Sequence, residues 1–149
     1  IYLSDEPDVI KSKIMSMYTD PTHIRKEDPG HTKGNPVFTY LEAFCNPEHF
    51  KEFMPDYKNL DELKAHYERG GLGDVTVKKF LNNVMQKELE IIRERRKMWE
   101  QRLPDVYDIL YQGSMKAKTV AANTLEEVKH SMKIDYFENK NLLSKENER

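Results

Sequence analysis

The chain is poor in the residues that build chemistry from covalent or metal bonds. Cys45 is the only cysteine among 149 residues, which excludes an internal disulfide framework and any multi-cysteine metal centre. The five histidines, His23, His31, His49, His66 and His130, never stand at i and i+4 of one helix, and no carboxylate pattern completes a ligand set. Surface or capping roles are expected for them, and no metal. Paired catalytic carboxylates, a Ser-His-Asp set, a Walker loop and a glycine-rich nucleotide fingerprint are all missing, so no catalytic residue is assigned. Long apolar runs are missing as well, and there is no basic-then-apolar leader. The expectation is a cytoplasmic protein that does not meet a membrane.

What is present is charge and helical period. Charged residues make up 34% against 38% hydrophobic, a balance that suits amphipathic helices with solvated faces. The charge is unevenly placed. Residues 1–63 carry seven Lys/Arg against twelve Asp/Glu, whereas residues 64–118 carry twelve against eight. An acidic front and a basic middle are compatible with one face meeting a polyanion.

Ile1-Tyr2-Leu3 reads as the end of a strand severed from something upstream. The spacing of Ile10, Ile14 and Met17 predicts a helix over 5–18, ended by Thr19-Asp20-Pro21 because proline pushes the residue before it out of the helical region. A loop follows to Gly34, long enough to be either functional or mobile. Short helices are expected over 35–44, 48–53 and 59–69, each opened or closed by Asn, Pro or Gly. Gly70-Gly71-Leu72-Gly73-Asp74 predicts a tight corner, with Asp74 accepting from the first amides of the next helix. Two long helices come next, over 75–102 and 105–133, separated by Pro104. Trp99 is expected as a core anchor near the end of the first. Val106, Ile109, Leu110, Val120, Leu125 and Val128 form an apolar stripe on the second, with Gly113, Ser114, Ala117 and Ala121 a small-residue surface along it. The fold class is therefore all-α, a helical bundle with a long antiparallel helix hairpin.

The best basic cluster is Lys78 and Lys79, then Arg93, Arg95, Arg96 and Lys97, all on the first long helix. Phosphate contact needs long cationic side chains on one surface, which a helix can supply. A solvated face with Glu90 and Glu94 as partners is the competing reading. Cys45, next to Phe44 in an apolar helix, reads as a structural thiol. The tyrosines, Tyr18 among them, could stack on bases but stand at spacings typical of packing residues.

Three stretches taken together resemble one family: Thr19-Asp20-Pro21 with His23-Ile24-Arg25 and Asp28-Pro29-Gly30; NPVFTYLEAF from Asn35 to Phe44; and HYERGGLGDVTVKKFL from His66 to Leu81. In this order they are similar to the region after the Lys-Met-Ser-Lys-Ser loop of bacterial tryptophanyl-tRNA synthetases, and the likeness runs to about residue 137. The resemblance implies a junction over 1–18, a helical tRNA-binding domain over 19–137 and a polar frayed tail over 138–149. It implies that the whole enzyme activates tryptophan with ATP and Mg, charges tRNA(Trp) and works as a homodimer, with this piece supplying anticodon-side recognition and no chemistry. Lys78, Lys79, Arg93, Arg95, Arg96 and Lys97 remain a tRNA-binding set argued from charge alone. The four-cysteine iron-sulfur site that some family members carry in this region cannot form with one cysteine. A freestanding helical interaction module, or a relative of the tyrosyl enzyme, is the alternative.

Overall fold

Among the described residues, proline stands at the first or second position of four of the six helices, where its missing N–H costs nothing and its fixed φ suits the helix. The computed structural model describes residues 1–136; Phe137 and the expected tail over 138–149 lie outside them. The helices are α1 (Pro7–Met15), α2 (Pro36–Phe44), α3 (Pro47–Phe53), α4 (Leu60–Arg69), α5 (Asp74–Glu100) and α6 (Leu103–Ser131). Among the described residues there is no strand, so the class is all-α. Ile1–Leu3, expected as a strand end, are not in a strand among the described residues. They enter a turn in which Tyr2 N–H donates to Asp5 Oδ2 at 2.8 Å.

Asparagine caps the three short helices, because its side-chain oxygen can accept the free amides of a first turn. Asn35 Oδ1 accepts from Val37 N at 3.0 Å, and Asn59 Oδ1 accepts from Glu62 N at 3.0 Å. Asn46 makes a reciprocal box: it accepts from the amides of Glu48 and His49, and its own N–H donates to His49 Nδ1 at 3.2 Å. One of the five histidines is thus a buried cap.

The chain divides into two units, Ile1–Met98 and the residues from Trp99 onward. In the first, Ile10 and Ile14 of α1, Phe38 and Leu41 of α2, Phe50 of α3, Leu63 and Tyr67 of α4, and Val77, Leu81, Val84 and Met85 of α5 form one core. Each such side chain contributes roughly 1.5–3 kcal/mol on burial. In the second unit α6 has no buried residue, so among the described residues nothing covers its apolar stripe. Trp99 is likewise no core anchor: it is 37% exposed, with the Arg102 guanidinium 5.2 Å above its ring. Here helical period was a sound guide to helix formation and a poor one to burial.

α1 stops three residues short of expectation, and the cause lies in α5. Lys78 Nζ donates to Met17 O at 2.7 Å, to Thr19 Oγ1 at 2.8 Å and to Met15 O at 3.3 Å. A cation at the carbonyl end of a helix answers the groups that helix geometry leaves unpaired. It fixes where α1 ends.

Candidate nucleic-acid interface

The segment between α1 and α2 has no regular structure, yet it is held at several points. Asp20 is buried, and its carboxylate accepts from Thr22 N at 2.9 Å, Thr22 Oγ1 at 2.6 Å and His31 N at 3.0 Å, with His31 Nδ1 2.8 Å away. Asp28 Oδ2 accepts from Arg25 N at 2.8 Å. Further along, Gly30 N–H donates to Tyr67 O at 3.1 Å, and Gly71 N–H donates to Lys26 O at 2.6 Å. The strap is therefore laced to the α4–α5 corner. Its length alone suggested a functional or mobile loop, and its part-buried hydrogen bonds leave it little freedom.

The corner itself needs glycine. Gly70 has φ +88°, and a Cβ there would lie 2.2 Å from the Glu27 carbonyl oxygen. Beneath it, Tyr67 is fully buried, packed edge-on to His23 at 4.7 Å and against Phe38 at 4.9 Å. Its hydroxyl donates to Asp74 Oδ1 at 2.8 Å, so Asp74, expected as the cap of α5, serves as the acceptor of a buried phenol. Burial, then the bond to Asp74, raise the Tyr67 hydroxyl well above the usual tyrosine range. His23 Nδ1 lies 2.8 Å from Asp74 Oδ2, at ion-pair distance, but neither ring nitrogen makes an aligned hydrogen bond.

What this scaffold turns outward carries both signs of charge, with exposed Glu27 3.7 Å from the Lys26 ammonium and cations in the majority. Arg25, Lys26, His31 and Lys33 are exposed on the strap, together with Ile24, which is 84% exposed. Sequence reasoning overlooked these residues. Scattered over nine positions of a loop they form no run, and only the fold places them on one rigid segment.

The charge-based set on α5 divides. Lys78 is 4% exposed with all its hydrogen bonds turned inward, so burial removes it from the set. Arg93 is half-buried and folds back along its own helix, Nη2 donating to Gln86 O at 3.1 Å. One of its guanidinium nitrogens is thus committed within the chain. Lys79, Arg95, Arg96 and Lys97 are exposed. At about 100° per residue, Lys79 and Lys97 share an azimuth opposite the buried stripe, about 27 Å apart along the axis. Arg95 points along the continuation of that stripe, and Arg96 has an interaction of its own within the chain. Nearby Lys87 is occupied by Glu52 and lies 5.6 Å over the Phe53 ring. Burial pushes the Cys45 thiol up to about 11, which keeps it protonated and unreactive at neutral pH.

The Asp20 bonds carry a prediction. Hydrogen bonds from Thr22, then His31, hold its carboxyl well below the ordinary 3.8. A lowered folded-state pKa means that the unfolded chain binds more protons, so the stabilisation is complete above 3.8 and is lost as the pH falls through the folded value. Thermal melts between pH 5 and pH 2 should show Tm dropping on acidification, with a shallower drop for Asp20→Asn. Parallel profiles for the two proteins would contradict it.

Comparison with known proteins gives three concordant results. A family model for class I tRNA synthetases of the W and Y type matches residues 1–90. The chain is 58% identical over 139 residues to a tryptophan-tRNA ligase of Clostridium longisporum, and 50% identical over 137 residues to one of Lactococcus lactis. It spans 38% of the length of each, with 93% and 92% of the chain covered. A crystal structure of tryptophanyl-tRNA synthetase from Campylobacter jejuni superposes with a TM-score of 0.66 over 89% of the chain and 39% of that protein. At 23% identity that likeness speaks to the fold.

Proposed function

This chain belongs to the class I tRNA synthetases of the tryptophan and tyrosine type, and from that premise we propose that it is the tRNA-docking portion of a tryptophan-tRNA ligase. The observation that carries the choice of amino acid is the 58% identity to the Clostridium longisporum ligase, sustained over 93% of the chain. The complete enzyme would activate tryptophan with ATP and Mg, transfer it to tRNA(Trp) and work as a homodimer. The family's two ATP-handling motifs are not among these 149 residues, so no chemical step is assigned to them. Their work is to bind and orient.

Two cationic surfaces support that role. The strap offers Arg25, Lys26 and Lys33 on a backbone already fixed, so little ordering is lost on binding. The exposed face of α5 offers Lys79 and Lys97, spaced along one line where a nucleic-acid backbone could run. Arg95 and Arg96 lie on other faces of the helix and are not part of that line.

The test is charge reversal at Lys79 and Lys97 together in the complete enzyme. Binding of tRNA should weaken roughly tenfold, and the slope of log affinity against log salt should become shallower by about two, one for each phosphate no longer neutralised. Tryptophan-dependent exchange of pyrophosphate into ATP should be unchanged. A variant with the same affinity and salt slope as the parent would remove the α5 face from the footprint. Failure of the parent to carry out that exchange would remove the ligase assignment.

A further inference from the structure

Asp74 stands where three segments meet. It opens α5, its Oδ1 accepts from the Tyr67 hydroxyl of α4 at 2.8 Å, and its Oδ2 lies 2.8 Å from His23 Nδ1 of the strap. We propose that Asp74 is a positioning residue for RNA docking: its carboxylate fixes the strap relative to α5, so that one bound RNA meets Arg25 and Lys26 together with Lys79. The proposal rests on the docking reading above and names what makes its two cationic surfaces act as one.

An aspartate at the start of a helix has a more local use, which is to accept the unpaired amides of its own first turn. Here the Thr76 and Val77 amides are answered instead by the Gly73 carbonyl, at 3.0 and 3.4 Å. That leaves the Asp74 side chain to reach across the corner. It is 14% exposed there, and the His23 side chain that it faces is 1% exposed. The same carboxylate thus touches the strap and α4 while belonging to α5.

What it joins lies close by. Gly71 N–H donates to Lys26 O at 2.6 Å, and a Cβ on Gly73 would lie 3.6 Å from Lys26 Cβ, so Lys26 borders the start of α5. Lys79 follows Asp74 by five residues, roughly 7.5 Å of helix rise. The bonds from Gly71 and to Tyr67 tie the strap at Lys26 and Gly30, whereas the Asp74 contact ties it at His23, on the other side of Arg25. Arg25 is thereby held from both directions. Arg25, Lys26 and Lys79 are all exposed. Weak contacts held in one register bind far more tightly than the same contacts on parts that move independently, because each is made at the high effective concentration set by the others.

The experiment measures tRNA(Trp) binding to the complete enzyme at one salt concentration in two backgrounds, the parent and the parent with Arg25→Ala and Lys26→Ala. In the parent, Asp74→Ala should weaken binding roughly tenfold, the scale of one or two lost phosphate contacts. Where the strap cations are already gone, the same change should have no further effect, because nothing is left for it to position. His23→Phe keeps a ring against Tyr67 and takes away the nitrogen that faces Asp74. It should repeat both results, and it carries the test if Asp74→Ala does not fold. A parent affinity unmoved by either substitution overturns the proposal. So does an equal loss in the two backgrounds, which is what a purely structural role would give. If removing the strap cations has no effect while charge reversal at Lys79 and Lys97 weakens binding, the proposal falls and docking on α5 stands. If neither change affects tRNA binding, the docking reading falls as well.

Discussion

Replacing Lys78 with methionine is expected to lower the unfolding free energy by about 2–4 kcal/mol, while Lys79→Met changes it by less than about 0.5 kcal/mol. The two residues are neighbours in sequence and opposite in environment. The Lys78 ammonium is 4% exposed and serves Met15 O, Met17 O and Thr19 Oγ1. Methionine keeps the volume but offers no donor, so two carbonyls and a hydroxyl lose their partner in a partly desolvated site. Burying a cation has its own desolvation cost, which works against this figure. Three hydrogen bonds between 2.7 and 3.3 Å decide the balance in favour of destabilisation. Urea denaturation of the chain with each variant reads the difference. A Lys78→Met protein as stable as the parent would show that the clamp contributes nothing net.

Tyr67→Ala is expected to cost about 3–5 kcal/mol, the usual range for removing a large buried ring. The ring carries edge contact with His23, tilted contact with Phe38 and the hydroxyl bond to Asp74, all in full burial. The same ring determines what Gly30 can be. A Cβ at Gly30 would lie 2.3 Å from the Tyr67 ring, while the Gly30 backbone itself imposes no left-handed φ. Gly30→Ala alone should therefore destabilise by several kcal/mol through overpacking. In a Tyr67→Ala background the same change should cost little, because the atoms it strikes have gone. The double-mutant cycle is the measurement: a coupling of at least about 2 kcal/mol is expected, and additive effects would mean that the ring is not what excludes a side chain.

Much of the helical framework could be read from single residues. Pro36, Pro47, Asn35 and Asn59 mark helix starts through chemistry local to one turn, and the glycines of the 70–73 corner mark where a chain must reverse. Charge was less legible, for a geometric reason. Lys78 and Lys79 look alike as bare cations, yet Lys78 stands seven residues before Met85 and eleven before Leu89, on the edge of the buried stripe. That spacing was available, and counting cations without assigning them azimuths hid it. The strap read as a loop that could be mobile because its restraints, from Asp20 to His31 and from Gly30 to Tyr67, join residues whose proximity no local pattern announces. α6 shows the opposite failing. Its apolar stripe is regular, but period states which residues share a face and not whether anything covers it.

The clamp at Lys78 also bears on the order in which the molecule can assemble. Its three bonds join positions 59 to 63 residues apart, and the strap is fastened to Tyr67 and Gly71 over separations of 37 and 45 residues. Closing such spans costs chain entropy before any favourable interaction offsets it. In a chain emerging amino terminus first, residues 16–34 have only their own internal bonds, those of Asp20 and Asp28, until the α4–α5 corner has been made. A segment fastened at several points in the finished protein is thus among the last to be tied to its neighbours.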